Sequence, residues 1–125
     1  MRRAAVIGVA LAILVGVGAL VATRERAAPP PSVSFVRDVQ PLFDAKCVTC
    51  HPVAYPYLDL RPGRSYDQLV RQVAATNPAF ERVLPGRPEL SYLVTHSPDP
   101  SNAGLLTPDD LDLLRRWIAQ GAPRT

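Results

Sequence analysis

The sequence predicts an all-α domain of about four short helices behind an N-terminal membrane helix. Three observations carry this. The last twenty residues read as an amphipathic helix with both start and stop signals. No segment alternates polar and apolar residues with the period of a strand. The chain opens on nineteen residues, Ala4 to Ala22, without a charge or a proline. Fourteen prolines and seven glycines in 125 residues give the rest to turns and loops, and there is no internal repeat.

At 1.5 Å per residue the apolar head would span roughly 28 Å, about the hydrocarbon thickness of a bilayer. Arg2 and Arg3 precede it, which puts the N-terminus in the cytoplasm and residue 23 onward outside. A cleaved export signal would have a shorter apolar run and a better processing site than Val17-Gly18-Ala19 or Leu20-Val21-Ala22. An uncleaved signal anchor over 1–23 is therefore the expectation, and both readings export the rest. Ala4, Gly8, Ala12 and Gly16 recur on one face, where small residues let another membrane helix approach closely. Residues 24–33, with Pro29-Pro30-Pro31, read as a stiff linker, and 34–125 as the folded domain.

The net charge of +3 lies wholly in the head, where four arginines face one glutamate. Residues 27–125 hold ten basic and ten acidic side chains. The domain thus has no basic footprint for a nucleic acid.

Within the domain the C-terminal helix is the clearest element. Thr107 reads as its N-cap, Pro108 as N1, and Asp109 and Asp110 put negative charge on the first turn. Leu111, Leu114 and Ile118 follow at helical spacing, Leu113 and Trp117 widen the apolar face, and Gly121 and Pro123 end it. An earlier helix is predicted from about Phe35 to Cys47, with a late start or a kink at Pro41. A third begins after Ser65 and carries Leu69, Val70 and Val73. A short fourth begins at Pro88, with Leu90, Leu93 and Val94 buried.

Both cysteines lie in one stretch, Cys47-Val48-Thr49-Cys50-His51. Two thiols at i and i+3 of a helical turn face one side, with an imidazole beside them. That spacing suits covalent haem: each thiol adds to one vinyl group and His51 binds the iron. A disulfide would close a strained small ring and would not need His51. A thioredoxin-like pair wants an α/β setting. A zinc site needs two further ligands, and His96 is the only other histidine. A haem would also supply apolar bulk to a domain of about 90 residues, small enough to want a staple.

CVTCH, then YLDLR, VLPGRPELSYLV and LTPDDLDLLRRWIAQGAP, resembles the small c-type cytochrome domains common in planctomycetes and related bacteria. Phe35-Val36-Arg37-Asp38-Val39-Gln40-Pro41 matches the F/Y-x-x-D-V-x-P helix that precedes their haem motif. The resemblance covers about residues 34–123. It implies a helical cytochrome c-like fold, one haem c, and electron transfer outside the cytoplasmic membrane. Cys47, Cys50 and His51 are then the cofactor-binding residues.

In that family a methionine lies shortly before the LT that opens the last helix. Here that stretch has none, and the only methionine is Met1. Three possibilities follow. His96 is the second axial ligand, the iron is five-coordinate, or a partner subunit or a weak ligand such as Lys46 or a tyrosine fills the position. Imidazole in place of thioether would favour ferric iron and lower the potential. Phe43, Leu93, Leu114 and Trp117 are the apolar residues expected around the porphyrin. Arg61, Arg64, Arg87, Tyr57 and Tyr66 are the candidate donors to its propionates, and the Pro52 carbonyl or one nearby is a candidate to orient His51.

The expectation is therefore a single-pass, membrane-anchored monohaem cytochrome c, an electron carrier and not an enzyme, with its C-terminal domain in the periplasm. Its partners would be membrane-bound redox proteins or subunits of a respiratory or photosynthetic complex. The alternative is a haem-based sensor or gas-binding protein with an open sixth iron position.

Overall fold

The computed structural model describes residues 27–96 and 105–125. The expected membrane helix, over 1–23, lies outside the described residues. Among those described, no helix is long and apolar enough to cross a membrane. The chain is mainly helical, with three isolated β-bridges, Val70 with Val83, Val73 with Glu81, and Glu81 with Ser91. All-α is its fold class.

Residues 27–32 are exposed coil. Val33 is the first buried residue, and its N–H donates to Gln120 Oε1 at 2.8 Å, tying entry to exit. Phe35–Val39 then forms a π-helical segment that runs into α1, Gln40–Lys46. Ser34 caps the segment: its hydroxyl accepts from Arg37 N, and its own N–H donates to Asp38 Oδ2 at 2.8 Å. Pro41 sits at the start of α1, where its missing N–H leaves no bond unmade. The wider π turn before it is the late start that Pro41 implied.

The third predicted helix is much shorter than its pattern suggested. Only Ser65–Leu69 is helical, as α2. Val70 turns to extended backbone and pairs with Val83, while Val73 is exposed and bridges to Glu81. β-branched Val70 and Val73 pack better on a pleated ribbon than on a helix, and here the cross-chain pairing wins. The fourth divides into a 3₁₀ turn, Pro88–Leu90, and α3, Tyr92–His96. Val94 is buried and Leu93 half-buried, but Leu90 is exposed, contrary to expectation. Between the two pieces Ser91 is fully buried, its hydroxyl accepting from Leu84 N and donating to Arg87 O, each at 2.9 Å.

The last helix, α4, spans Pro108–Ala119 and starts as predicted. Thr107 and Asp110 form a reciprocal capping box, each side chain taking up the other's backbone N–H. At the far end Gly121 is left-handed at φ 95°, a conformation glycine adopts without strain. Ala122 N–H then returns to Trp117 O at 3.0 Å.

Leu114, Trp117 and Ile118 are fully buried, and α4 packs on the π segment, the 3₁₀ turn and α3. Trp117 stands among Phe35 at 5.2 Å and Tyr66 at 6.4 Å between ring centroids, and its indole N–H donates to Pro123 O at 2.8 Å. Tyr66 in turn donates to Ala122 O at 2.8 Å. Trp117→Ala is expected to cost about 3–5 kcal/mol, the range for deleting a large core aromatic, read as a lower midpoint in urea unfolding.

Candidate functional site

The CVTCH stretch continues α1 as a run of turns. Cys47 N–H reaches Phe43 O at 2.8 Å, His51 N–H reaches Cys47 O at 2.9 Å, and Ala54 N–H reaches Cys50 O at 2.8 Å. Lys46, the last residue of α1, pairs with Asp110 in the capping box of α4, which fixes the turn against the last helix. Cys47, Cys50 and His51 all line one cavity of about 260 Å³. Its other walls are Phe43, Lys46, Tyr55, Leu58, Leu60, Leu93, Leu105, Leu106 and Leu114. Apart from the Lys46 amine and the Tyr55 hydroxyl, these walls are apolar.

Neither cysteine is disulfide-bonded. Burial pushes the Cys47 thiol up to about 11, with Lys46 pulling weakly the other way. A reactive redox cysteine shows the opposite shift, and this pair follows a helix where a thioredoxin-like pair would follow a strand. Among the described residues, no three His, Cys, Asp or Glu side chains come together as a metal cluster.

His51 is half-buried, and its Nδ1 is shut off from water with no hydrogen-bond partner. Burial lowers its pKa, a backbone contact with Leu58 opposes this, and the Arg82 charge adds to the lowering. The ring is thereby held in the neutral form that ligates metals. Tyr55 and Tyr57 flank it at 5.0 and 6.5 Å between ring centroids. The His51–Pro52 peptide is cis.

His96 stands elsewhere. Its ring stacks on Tyr92 at 3.7 Å, and it lines a second cavity of about 180 Å³ together with His51, Tyr57, Thr76, Arg82 and Tyr92. The two cavities share His51, Leu58 and Leu93 as walls. His96 thus faces the same space as His51, but it is not on the wall that carries the cysteines.

Of the four apolar residues expected around the site, Phe43, Leu93 and Leu114 line the cysteine cavity. Trp117 does not; it is consumed by the core behind. For the three arginines among the polar candidates, surface placement, the other reading their type allows, is what the structure shows. Arg61 and Arg64 pair with Asp59, Arg87 with Glu89, and Tyr66 with Ala122 O, so none faces either cavity. A carboxylate two residues from each of Arg61 and Arg87 was the signal that could have placed them. Tyr57 lines the second cavity. Arg82, which no motif singled out, is the one guanidinium among the described residues that reaches it. Leu105 and Leu106 were likewise missed, since their place depends on where the last helix starts.

The chain carrying Leu58 and Leu60 along the cavity is clamped by the buried residue between them. Asp59 accepts from Arg61 N at 3.1 Å, Nε at 2.8 Å and Nη2 at 2.6 Å, and its own N–H donates to Gln68 Oε1 at 2.7 Å. Comparison with protein-family models, curated proteins and solved structures finds no match to this chain.

The bonds from Arg61 hold the Asp59 carboxyl down at about 2, against an ordinary 3.8. A depressed native pKa gives stability that is present above the unfolded value and lost as pH falls toward the native one. Stability should therefore fall between about pH 4 and pH 2. Asp59→Asn should lower it at neutral pH and flatten that part of the acid limb, as measured by thermal unfolding across the range.

Proposed function

We propose that this chain is a monohaem c-type cytochrome that carries single electrons at the outer face of the cytoplasmic membrane, tethered by its N-terminal segment. One observation carries the reading: two unbridged thiols and an imidazole share one wall of an otherwise largely apolar cavity. That donor set fits haem c, with Cys47 and Cys50 for thioether attachment and the His51 imidazole, which lines the same cavity, for the iron. When bound, the haem supplies the one-electron couple. The protein's own part is to fix it at three points and to surround it with Phe43, Leu58, Leu60, Leu93 and Leu114, which exclude water and lower the local dielectric. The cytochrome c-like fold and the family resemblance belong to the same proposal.

A second reading, a gas-binding or sensing haem protein, is favoured by what the cysteine cavity lacks. Beyond His51 its walls offer only the Lys46 amine, engaged by Asp110, and the Tyr55 hydroxyl. Residues 97–104 contain no methionine, histidine, cysteine or lysine.

Expression of the full chain with haem c maturation machinery should give one covalent haem per chain by mass spectrometry and by the pyridine haemochrome spectrum. The Cys47→Ala, Cys50→Ala double variant should retain none after denaturing extraction. Wild-type protein without covalent haem under those conditions would end the proposal. Under the second reading, the loaded and reduced protein binds carbon monoxide and shifts its Soret band, and His96→Ala binds it equally. A low-spin ferrous spectrum indifferent to the gas in wild type, but responsive in His96→Ala, would instead make His96 the sixth ligand.

A further inference from the structure

The second cavity holds a cation without a counterion. Arg82 is half-buried, and among the described residues no carboxylate pairs with it. Its two terminal nitrogens are held by backbone carbonyls, Nη1 by Gln68 O at 2.7 Å and Nη2 by Tyr57 O at 3.0 Å. The guanidinium is therefore fixed in place with no ion-pair partner among the described residues. Burial accordingly works against the charged form.

Among the described residues, the space it faces is lined by donors and by no acid. Tyr57, Tyr92, Thr76 and His96 supply the polar wall, with Thr76 Oγ1 and Tyr92 Oη already 2.8 Å apart. Leu58, Leu69 and Leu93 supply the apolar wall. An immobilised guanidinium with a planar donor fork, beside apolar side chains, is matched to a carboxylate on an apolar body.

We propose that this cavity is a carboxylate-binding site with Arg82 as its anchor. Two sources of that carboxylate fit the cavity. One is a propionate of the haem proposed above, because His51, Leu58 and Leu93 wall both cavities. The other is a small free organic acid. The first source rests on the haem reading; the site itself does not.

The test uses the full chain, wild type, Arg82→Gln and Arg82→Lys, the lysine keeping the charge should glutamine weaken the fold. Mass spectrometry first establishes whether haem is attached, so failure of the haem reading is seen separately. With a propionate at Arg82, the resonance-Raman propionate-bending band shifts in Arg82→Gln. The midpoint potential also falls, since losing a nearby cation favours ferric iron, and Arg82→Lys recovers part of the potential but not the band. With a free acid, benzoate binds wild type saturably in an NMR titration, with or without haem. Its affinity then drops at least about tenfold in Arg82→Gln, the loss expected for a charged hydrogen bond. Either result supports the site and names its source. Band, potential and benzoate affinity all unmoved in folded Arg82→Gln would overturn it.

Discussion

The burial of Trp117 against Phe35 and Tyr66 is the contact on which the rest of this small molecule depends. Among the described residues, the helical pieces other than α4 and the continuous run Phe35–Lys46 have five residues or fewer. Such pieces are far below the length at which a helix holds itself in water. They persist because α4 offers one long apolar face, and Trp117 is its centre. The indole bond to Pro123 and the Tyr66 bond to Ala122 then fold the last residues back under that face. Arg124 O adds a bond from Val36 N, joining the tail to the π segment. The two ends of the domain are thus locked by the same few side chains.

What was legible in the sequence follows from how local its causes are. The start of α4 is set within four residues by Thr107, Pro108 and Asp110, and those signals survive any tertiary context. The CVTCH turn is equally local, which is why its three candidate side chains could be placed on one side before any fold was known. The helix expected through Val70 and Val73 failed for the opposite reason. Its apolar spacing is real, but Val83 and Glu81, residues from a later stretch, pair with that segment and draw it into extended backbone. Arg82 was invisible on the same grounds: the carbonyls of Gln68 in α2 and of Tyr57 hold it, and neither leaves a mark nearby in the chain.

The arrangement of charge explains which arginines are free for function. Arg61 and Arg64 are spent on Asp59, where they stiffen the strip of chain bearing Leu58 and Leu60. Lys46 is spent on Asp110, which fixes the cysteine turn against α4. Most pairs of this kind are solvent-exposed and contribute little stability. Their use here is positional: they hold the walls of a cavity whose apolar side chains alone would leave free to slide. The proposed haem would complete that design, filling a space that about 90 residues of polypeptide leave open in their own core.

The tether bears on how electrons would reach such a site. If residues 4–22 cross a bilayer, about ten residues separate that span from Val33, where burial begins. Even fully extended they reach roughly 35 Å, and the three prolines in the run keep them closer to a rod than a coil. The domain is then confined to within about its own diameter of the membrane surface. Its charges balance over residues 27–125, so long-range steering toward a distant partner has little to act on. Proximity would have to do what electrostatics does for a freely diffusing carrier. Under the proposed function, a fixed place beside a membrane partner fits the short linker and the balanced charge at least as well as shuttling does.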